Sequence, residues 1–154
     1  HASAESTGPA TSCTVTGLTN GTSYVIQVIA KNAAGRSLAS GYSAPATPAT
    51  VPSSPTAVWA MSGNSQMFVE WTAPASTGGS GITSYLLERS SNNGSTWTEC
   101  FWSPPRINSE PAQVTELTNG TWYVFRVTAK NAAGLSLPSA YSAPKSPTAA
   151  GGMA

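Results

Sequence analysis

The sequence predicts an all-β protein built from repeated β-sandwich modules. Short segments with alternating apolar and polar residues recur along its 154 residues, and no segment shows the period of an amphipathic helix. Residues 14–48 reappear 99 positions later as residues 113–147, with 24 of 35 positions identical. A repeat period of about 100 residues is typical of an array of small domains rather than of one large fold.

The first copy of the block predicts three short strands. Apolar residues alternate with polar ones, and the sequences Asn-Gly and Asn-Ala-Ala-Gly mark turns between the alternating runs. Tyr24, Ile26 and Val28 share one face of the middle run. The predicted strands are residues 12–18, 24–32 and 36–43.

The chain from Pro55 onward predicts a complete sandwich of seven strands. Four alternating runs precede the second copy of the block, which adds three more. A Gly- and Ser-rich loop at 72–81 follows the second run, and two adjacent prolines predict irregular structure over 101–111. Seven short strands without a helix are typical of an antiparallel sandwich. The first four runs are TAVWAMSG, QMFVEW, ITSYLLERS and STWTEC.

These patterns divide the chain into a partial and a complete module. The predicted parts are the last three strands of one sandwich at 1–47, a Pro-rich linker at 48–54, a complete module at 55–147 and a tail or linker at 148–154.

The partial module leaves apolar side chains without a sheet to cover them. Burying each one contributes about 1.5–3 kcal/mol, so exposing five forfeits on the order of 10 kcal/mol. A whole domain is stable by only about 5–15 kcal/mol. We therefore expect another polypeptide, either an upstream part of the parent chain or a neighbouring subunit, to supply the missing strands. The five side chains are Val15, Leu18, Tyr24, Ile26 and Val28.

Composition argues against several classes of partner and against catalysis. Only 8% of residues are charged, the net charge is +1, and Asp is absent, which disfavours binding to nucleic acid or to an anionic membrane. No apolar run reaches the roughly 20 residues that span a bilayer. The six glutamates are scattered and the single histidine is His1. The sequence therefore predicts no enzyme activity, no metal site, no cofactor and no membrane insertion.

Residues 52–147 resemble a fibronectin type III domain, and residues 12–48 match its last three strands. The resemblance implies an immunoglobulin-like β-sandwich, with strands A, B and E in one sheet and C, C′, F and G in the other. It implies a core around Trp71 and Tyr85. It also implies a tyrosine corner at Tyr123 and at Tyr24, where the hydroxyl bonds to the backbone before strand F. The matching residues are Pro55, Trp71, Pro74, Tyr85, Leu117, Gly120, Thr121, Tyr123, Val127, Ala129, Asn131 and Gly134.

Several exposed apolar residues are candidates for an interface. Strand alternation places Trp59, Met61 and Phe68 together on the outer face of the A–B–E sheet, where a neighbouring module or linker could equally cover them. Phe101 and Trp102 form a second aromatic pair near the C′ edge. Aromatic rings on a sandwich face can also stack on sugars, so glycan binding stays open as a less favoured alternative.

The two cysteines leave two alternatives. Cys13 and Cys100 occupy different positions of the repeat frame, in strands E and C′. They are either two free, half-buried thiols or a disulfide that joins modules or chains.

These observations predict a non-enzymatic structural or adhesive segment of a secreted or cell-surface protein. It would act as a spacer or as the assembly subunit of a filament or sheath. Its partners would be other polypeptides, including identical copies of the chain in a homo-oligomer. The alternatives are an accessory spacer of a secreted polysaccharide-degrading enzyme and a decorative domain of a phage tail or capsid.

Overall fold

The computed structural model describes residues 2–105 and 111–149, and these residues form only strands, turns and irregular segments. The predicted all-β class is confirmed. Among the described residues there is no helix with the length and hydropathy to cross a membrane. The chain divides into two compact units, His1–Ala49 (unit 1) and Thr50–Ala154 (unit 2).

Unit 1 is organised around one hairpin. Its strands are β1 (Lys31–Asn32) and β2 (Gly35–Arg36), and a further bridge joins Tyr24 to Ala46. The prediction of a strand over 12–18 was wrong, since these residues form no ladder. An extended segment becomes a strand only by exchanging hydrogen bonds with a neighbour, and the described residues of unit 1 offer it none.

The described residues of unit 2 form seven strands in two antiparallel sheets. The first sheet has the order β3-β4-β7 and the second has the order β6-β5-β8-β9, which correspond to A-B-E and C′-C-F-G. The strands are β3 (Thr56–Gly63), β4 (Gln66–Thr72), β5 (Ser84–Ser90), β6 (Thr98–Ser103), β7 (Ala112–Val114), β8 (Val124–Asn131) and β9 (Gly134–Leu135).

The core of unit 2 lies between the two sheets. Alternate residues of β4, β5 and β8 point inward and are fully buried, as period-two patterning requires. Trp71 is only partly buried and lies at the margin of the core rather than at its centre. Its ring meets that of Tyr85 edge-on, with centroids 5.4 Å apart and an interplanar angle of 61°. The fully buried inward residues include Met67, Val69, Leu87, Phe125 and Val127.

Strand β6 corrects the prediction of irregular structure from residue 101. Phe101 pairs with Leu87, and Trp102 with Leu86, before the strand ends at Ser103. Proline lacks an N–H group, but this restricts the ladder only at the proline itself. The strand therefore continues up to Pro104. Residues 106–110 of the predicted irregular stretch lie outside the described part of the chain.

Strand G continues past β9 through an arrangement that we call the serine ladder. Three serines, spaced three residues apart, each donate a backbone N–H to a β8 carbonyl and accept that residue's N–H on the hydroxyl oxygen. Successive bonded residues are therefore three positions apart on strand G but only two positions apart on strand F. The pairs are Ser136 with Ala129, Ser139 with Val127 and Ser142 with Phe125, at N–O distances of 2.8–3.0 Å.

Unit 1 has the same serine ladder. The pairs are Ser37 with Ala30, Ser40 with Val28 and Ser43 with Ile26, at N–O distances of 2.8–2.9 Å.

The residues just before β3, most of which belong to the predicted linker at 48–54, make contacts within unit 2. Thr50 N–H donates to the Gly78 carbonyl at 2.9 Å, and Pro52 is buried. The side chain of Asn131 is 1% exposed, and its Nδ2 donates to the carbonyls of Thr50 and Thr77 at 2.8 Å each. One amide thus ties strand F to this leading segment and to the B–C loop.

The first residue of the predicted tail at 148–154 is hydrogen-bonded within unit 2. Thr148 N–H donates to the Gly63 carbonyl at 3.0 Å, and residues 150–154 lie outside the described part of the chain.

Candidate interaction surfaces

A tyrosine fixes the turn before strand F in both units. The Tyr123 hydroxyl accepts a hydrogen bond from the Thr118 N–H at 3.2 Å, and the Tyr24 hydroxyl accepts one from the Thr19 N–H at 3.0 Å. The bond from Thr19 lowers the pKa of Tyr24, because it stabilises the phenolate oxygen. These two tyrosines position the E–F turn in each unit, so their role is architectural.

The outer face of the first sheet carries an apolar patch, which we call the tryptophan face and which consists of Trp59, Met61 and Phe68. Met61 and Phe68 are cross-strand partners, and Trp59 lies two residues before Met61 on the same side of β3. Trp59 is 44% exposed and Met61 42%, while Phe68 is half-buried. Contiguous exposed apolar side chains on a sheet are a mark of a contact surface.

Polar side chains border the tryptophan face. Glu70 lies directly opposite Trp59, and Gln113 lies opposite Phe68 on the other side. The Gln113 Nε2 atom donates to the Gln66 Oε1 atom at 2.6 Å, which holds both amides across the sheet. An apolar centre with a polar rim is the usual anatomy of a protein–protein contact.

Phe101 and Trp102, the predicted aromatic pair near the C′ edge, are neighbours on β6 and point to opposite sides of the sheet. Phe101 is half-buried against the core, whereas Trp102 is 43% exposed on the opposite side of the sheet. Successive residues of a strand face opposite sides, which separates the two rings. The Lys130 ammonium lies 5.6 Å from the centre of the Trp102 ring, within the range of a cation–π contact.

The outer face of the second sheet bears an ordered stack of charged and aromatic groups. Arg126 and Glu88 form a cross-strand ion pair, with N–O distances of 2.7 and 3.1 Å in a two-pronged geometry. The guanidinium carbon of Arg126 lies 4.3 Å from the Trp97 ring centre, and that ring lies 5.7 Å from the ring of Tyr141. These contacts join the four side chains into one continuous stack, with the planar guanidinium between a carboxylate and an aromatic ring.

Sequence reasoning missed Trp97, Tyr141 and Trp122. Trp97 lies in the predicted run STWTEC, but β6 begins only at Thr98, so alternation along that run does not give its face. Tyr141 lies within the serine ladder, whose three-residue spacing does not follow strand alternation. Trp122 is 63% exposed and lines a shallow groove of about 370 Å³. The other residues of the groove are Ser91, Asn92, Asn93, Tyr123, Val124 and Pro144.

The apolar face of unit 1 is open to solvent within the described residues. Ile26 is 45% exposed and Val28 is 66% exposed, while Val15, Leu18 and Tyr24 are half-buried. This is the third surface that sequence analysis singled out.

Both cysteines are free thiols in the structure. Cys13 is exposed, and Cys100 is half-buried on β6. Burial raises the pKa of the Cys100 thiol to about 11, because a thiolate is poorly solvated beside the core. Over residues 2–105 and 111–149, no three His, Cys, Asp or Glu side chains are grouped so that they could hold a metal ion.

Comparisons with known proteins agree with this geometry. The sequence profile of the Fibronectin type III domain matches residues 51–145. Myomesin-2 of Homo sapiens is 36% identical over 132 residues, which cover 81% of this chain and 9% of that protein. The Kelch domain-containing protein SSO1033 of Saccharolobus solfataricus is 33% identical over 131 residues, or 85% of this chain and 17% of that protein. The chain thus spans less than a fifth of either relative.

Solved structures give the same assignment. Domains A168–A170 from titin superpose with a TM-score of 0.59 at 34% identity, covering 65% of this chain and 33% of that one. The twitchin kinase region of C. elegans superposes with a TM-score of 0.58 at 27% identity, covering 65% and 17% respectively. With a family match over most of unit 2 and the expected sheet order, this chain belongs to the fibronectin type III family.

Proposed function

We propose that this chain is a non-enzymatic structural or adhesive segment of an extracellular or cell-surface protein, acting as a spacer or as the assembly subunit of a filament or sheath. Membership of the fibronectin type III family and similarity to Myomesin-2 and titin identify a structural, protein-interaction type of module. The finer role, the location and the partners are our proposal.

The main support for the proposal is the pattern of identical and differing positions between the two copies of the repeat. Of the 35 aligned positions 11 differ, and in unit 2 all but Phe125 and Thr128 of these are exposed or half-buried. The tyrosine corner, the serine ladder and the Asn-Gly turn are present in both copies. Repetition has therefore preserved the scaffold and varied the surface, as expected of modules whose work is spacing and contact.

The absence of catalysis is inferred from the residues available. The chain has no Asp and no histidine beyond His1, and Glu88 is held in an ion pair with Arg126. A surface rich in hydroxyls and poor in charge supports an extracellular location. The partners that we propose are other polypeptides, bound through sandwich faces and through strand complementation of unit 1.

Sedimentation of the full chain tests the assembly role. We expect association between about 1 and 100 µM through the tryptophan face, and its loss in a variant carrying Trp59→Ser and Phe68→Thr. Leu137→Ser is the matched control, because Leu137 is 78% exposed on strand G, away from that face. A chain that stays monomeric throughout this range would refute the assembly subunit and leave the spacer role.

A second candidate function rests on the exposed tryptophans. Trp59, Trp102 and Trp122 are each at least 43% exposed, and flat exposed rings suit stacking on sugar faces. This would fit the accessory module of a secreted polysaccharide-degrading enzyme better than a decorative domain of a phage tail or capsid. Affinity electrophoresis in gels containing soluble polysaccharides tests it: retardation should disappear on Trp→Ala substitution at the responsible ring.

A further inference from the structure

Equivalent side chains of the two units differ sharply in their exposure. Val28 is 66% exposed and Ile26 is 45% exposed, whereas their counterparts Val127 and Phe125, 99 residues later, are fully buried. The hairpins that carry them share the same serine ladder and the same bridge from the corner tyrosine. The difference therefore lies in what covers the face and not in the hairpin itself.

Unit 2 shows what covers this face. Strand β7 pairs with β4, and β8 pairs with β5 from Val124 to Lys130. Met67 and Val69 of β4 and Leu87 of β5 supply the buried side chains that meet it. The covering structure is thus the half-sandwich formed by residues 50–105, which contains strands A, B, C and C′.

The backbone of unit 1 presents a matching free edge. Among the described residues, the main-chain groups of Val25, Gln27 and Ile29 make no hydrogen bond. Their counterparts in unit 2 each pair with a residue of β5, in the register Val124↔Ser90, Arg126↔Glu88 and Thr128↔Leu86. One side of segment 24–30 is therefore bonded to the serine ladder of unit 1, and the other side is available to a strand.

We propose that residues 13–48 bind an A–B–C–C′ half-sandwich of the same kind as residues 50–105, in the geometry by which those residues hold 112–147. This rests on the proposed structural function and specifies the partner of the unit 1 surface. The partner is an all-β segment that offers two strand edges, one for strand E and one for strand F, with aliphatic side chains between them. A helix, a sugar or a nucleic acid offers no such pair of edges.

The differences between the two copies predict how the partner differs from residues 50–105. Unit 1 has Ile26 where unit 2 has Phe125, and Cys13 where unit 2 has Ala112. Phe125 and Ala112 are both fully buried. A partner matched to unit 1 should therefore have a larger side chain facing Ile26 and a smaller one facing Cys13. The other inward positions are the same in both copies: Val15, Leu18, Tyr24, Val28 and Ala30.

An extended chain tests the proposal. A copy of residues 50–111 is placed ahead of His1, so that all 154 native residues are retained. The native residues before strand E then lengthen the C′–E connection, at a cost that rises only logarithmically with loop length. We expect hydrogen exchange at the amides of Val25, Gln27 and Ile29 to slow at least 100-fold relative to the native chain. We expect a further slowing when Cys13→Ala and Ile26→Phe are added.

The control is Val28→Glu in the extended chain, which should restore fast exchange at Val25, Gln27 and Ile29 and leave 124–131 protected. Unchanged exchange in unit 1 of both extended chains, with 124–131 still protected, would overturn the proposal. Strong protection of unit 1 in a dilute, monomeric native chain would overturn it as well. Neither result bears on the sedimentation test of the proposed structural function, so the two can fail separately.

Discussion

Gly17 and Glu116 occupy equivalent positions of the repeat, and both have a left-handed backbone, with φ of 75° and 60°. Glycine adopts this conformation without a steric penalty, whereas a side chain brings Cβ against the neighbouring carbonyl at a cost of about 1–2 kcal/mol. The turn between strands E and F is therefore relaxed in unit 1 and strained in unit 2.

Glu116→Gly should stabilise unit 2. We expect a gain of about 0.5–1 kcal/mol in the free energy of unfolding, since relief of strain exceeds the entropy that glycine adds to the unfolded chain. Urea denaturation followed by tryptophan fluorescence measures it. Glu116→Ala is the matched control, because it removes the carboxylate and keeps Cβ. An equal gain in both variants would assign the effect to charge instead of backbone strain.

Ser139→Ala should destabilise unit 2 by about 1–3 kcal/mol, because it leaves the buried N–H of Val127 without an acceptor. Leu137→Ala, on the same strand, should change stability by less than about 0.5 kcal/mol although it removes more atoms, since Leu137 is 78% exposed. Thermal or urea unfolding of the two variants checks this. If the Ser139→Ala and Leu137→Ala variants prove equally stable, the Ser139 hydroxyl makes no measurable contribution to the free energy of unfolding.

Asn131→Asp should cost at least about 3 kcal/mol at neutral pH. A carboxylate cannot donate to the carbonyls of Thr50 and Thr77, and it would be buried facing both oxygens. The loss should shrink as the pH is lowered, because a protonated carboxyl regains one donor.

Asn32→Asp in unit 1 is the control for Asn131→Asp. Asn32 is exposed and its Oδ1 only accepts a bond from the Ala34 N–H, so unit 2 should keep its stability. A pH-independent loss in the unit 2 variant would contradict the role of Asn131 as a donor.

The two thiols should react very differently. At pH 8 a thiol reagent should label exposed Cys13 rapidly and half-buried Cys100 slowly, since burial raises the pKa of Cys100 to about 11. Labelling of Cys100 should accelerate as the pH approaches 11 or when urea unfolds unit 2. Mass analysis that counts one label at pH 8 and two in urea would agree. A count of zero in both, restored by a reductant, would instead reveal the disulfide between Cys13 and Cys100.

The same pKa shift has a consequence for stability. The unfolded chain ionises Cys100 near the ordinary value of 9.0, while the folded chain keeps the proton up to about 11. The contribution of this group is therefore present in full below pH 9 and declines as the pH rises from 9 to 11. Comparison with Cys100→Ala isolates it from the ionisation of lysines and tyrosines.

Period-two patterning predicted the regular strands well because it reports which side of a strand is buried. β3, β4, β5 and β8 lie close to the alternating runs, and Met67 and Val69 point inward as expected. The cross-strand pair of Glu88 and Arg126 followed from the same alternation.

Other features could not be predicted, because they depend on neighbours rather than on period. Residues 12–18 alternate as well as any strand but have no partner within the described residues of unit 1. The serine ladder has a spacing of three, which matches neither strand nor helix. Trp97 meets Arg126 only because the turn before β6 folds back over the second sheet.

The serine ladder also affects whether adjacent modules of similar sequence can pair with each other through their strand edges. A strand that advances three residues against two is not fully extended, so its outer side presents no straight row of donors and acceptors. An extended segment from an adjacent module therefore finds no template there on which to prolong the sheet. Similar sequences in adjacent modules favour misfolding in which strands of one module pair with the other. The three-residue spacing of the serines along strand G disfavours such pairing.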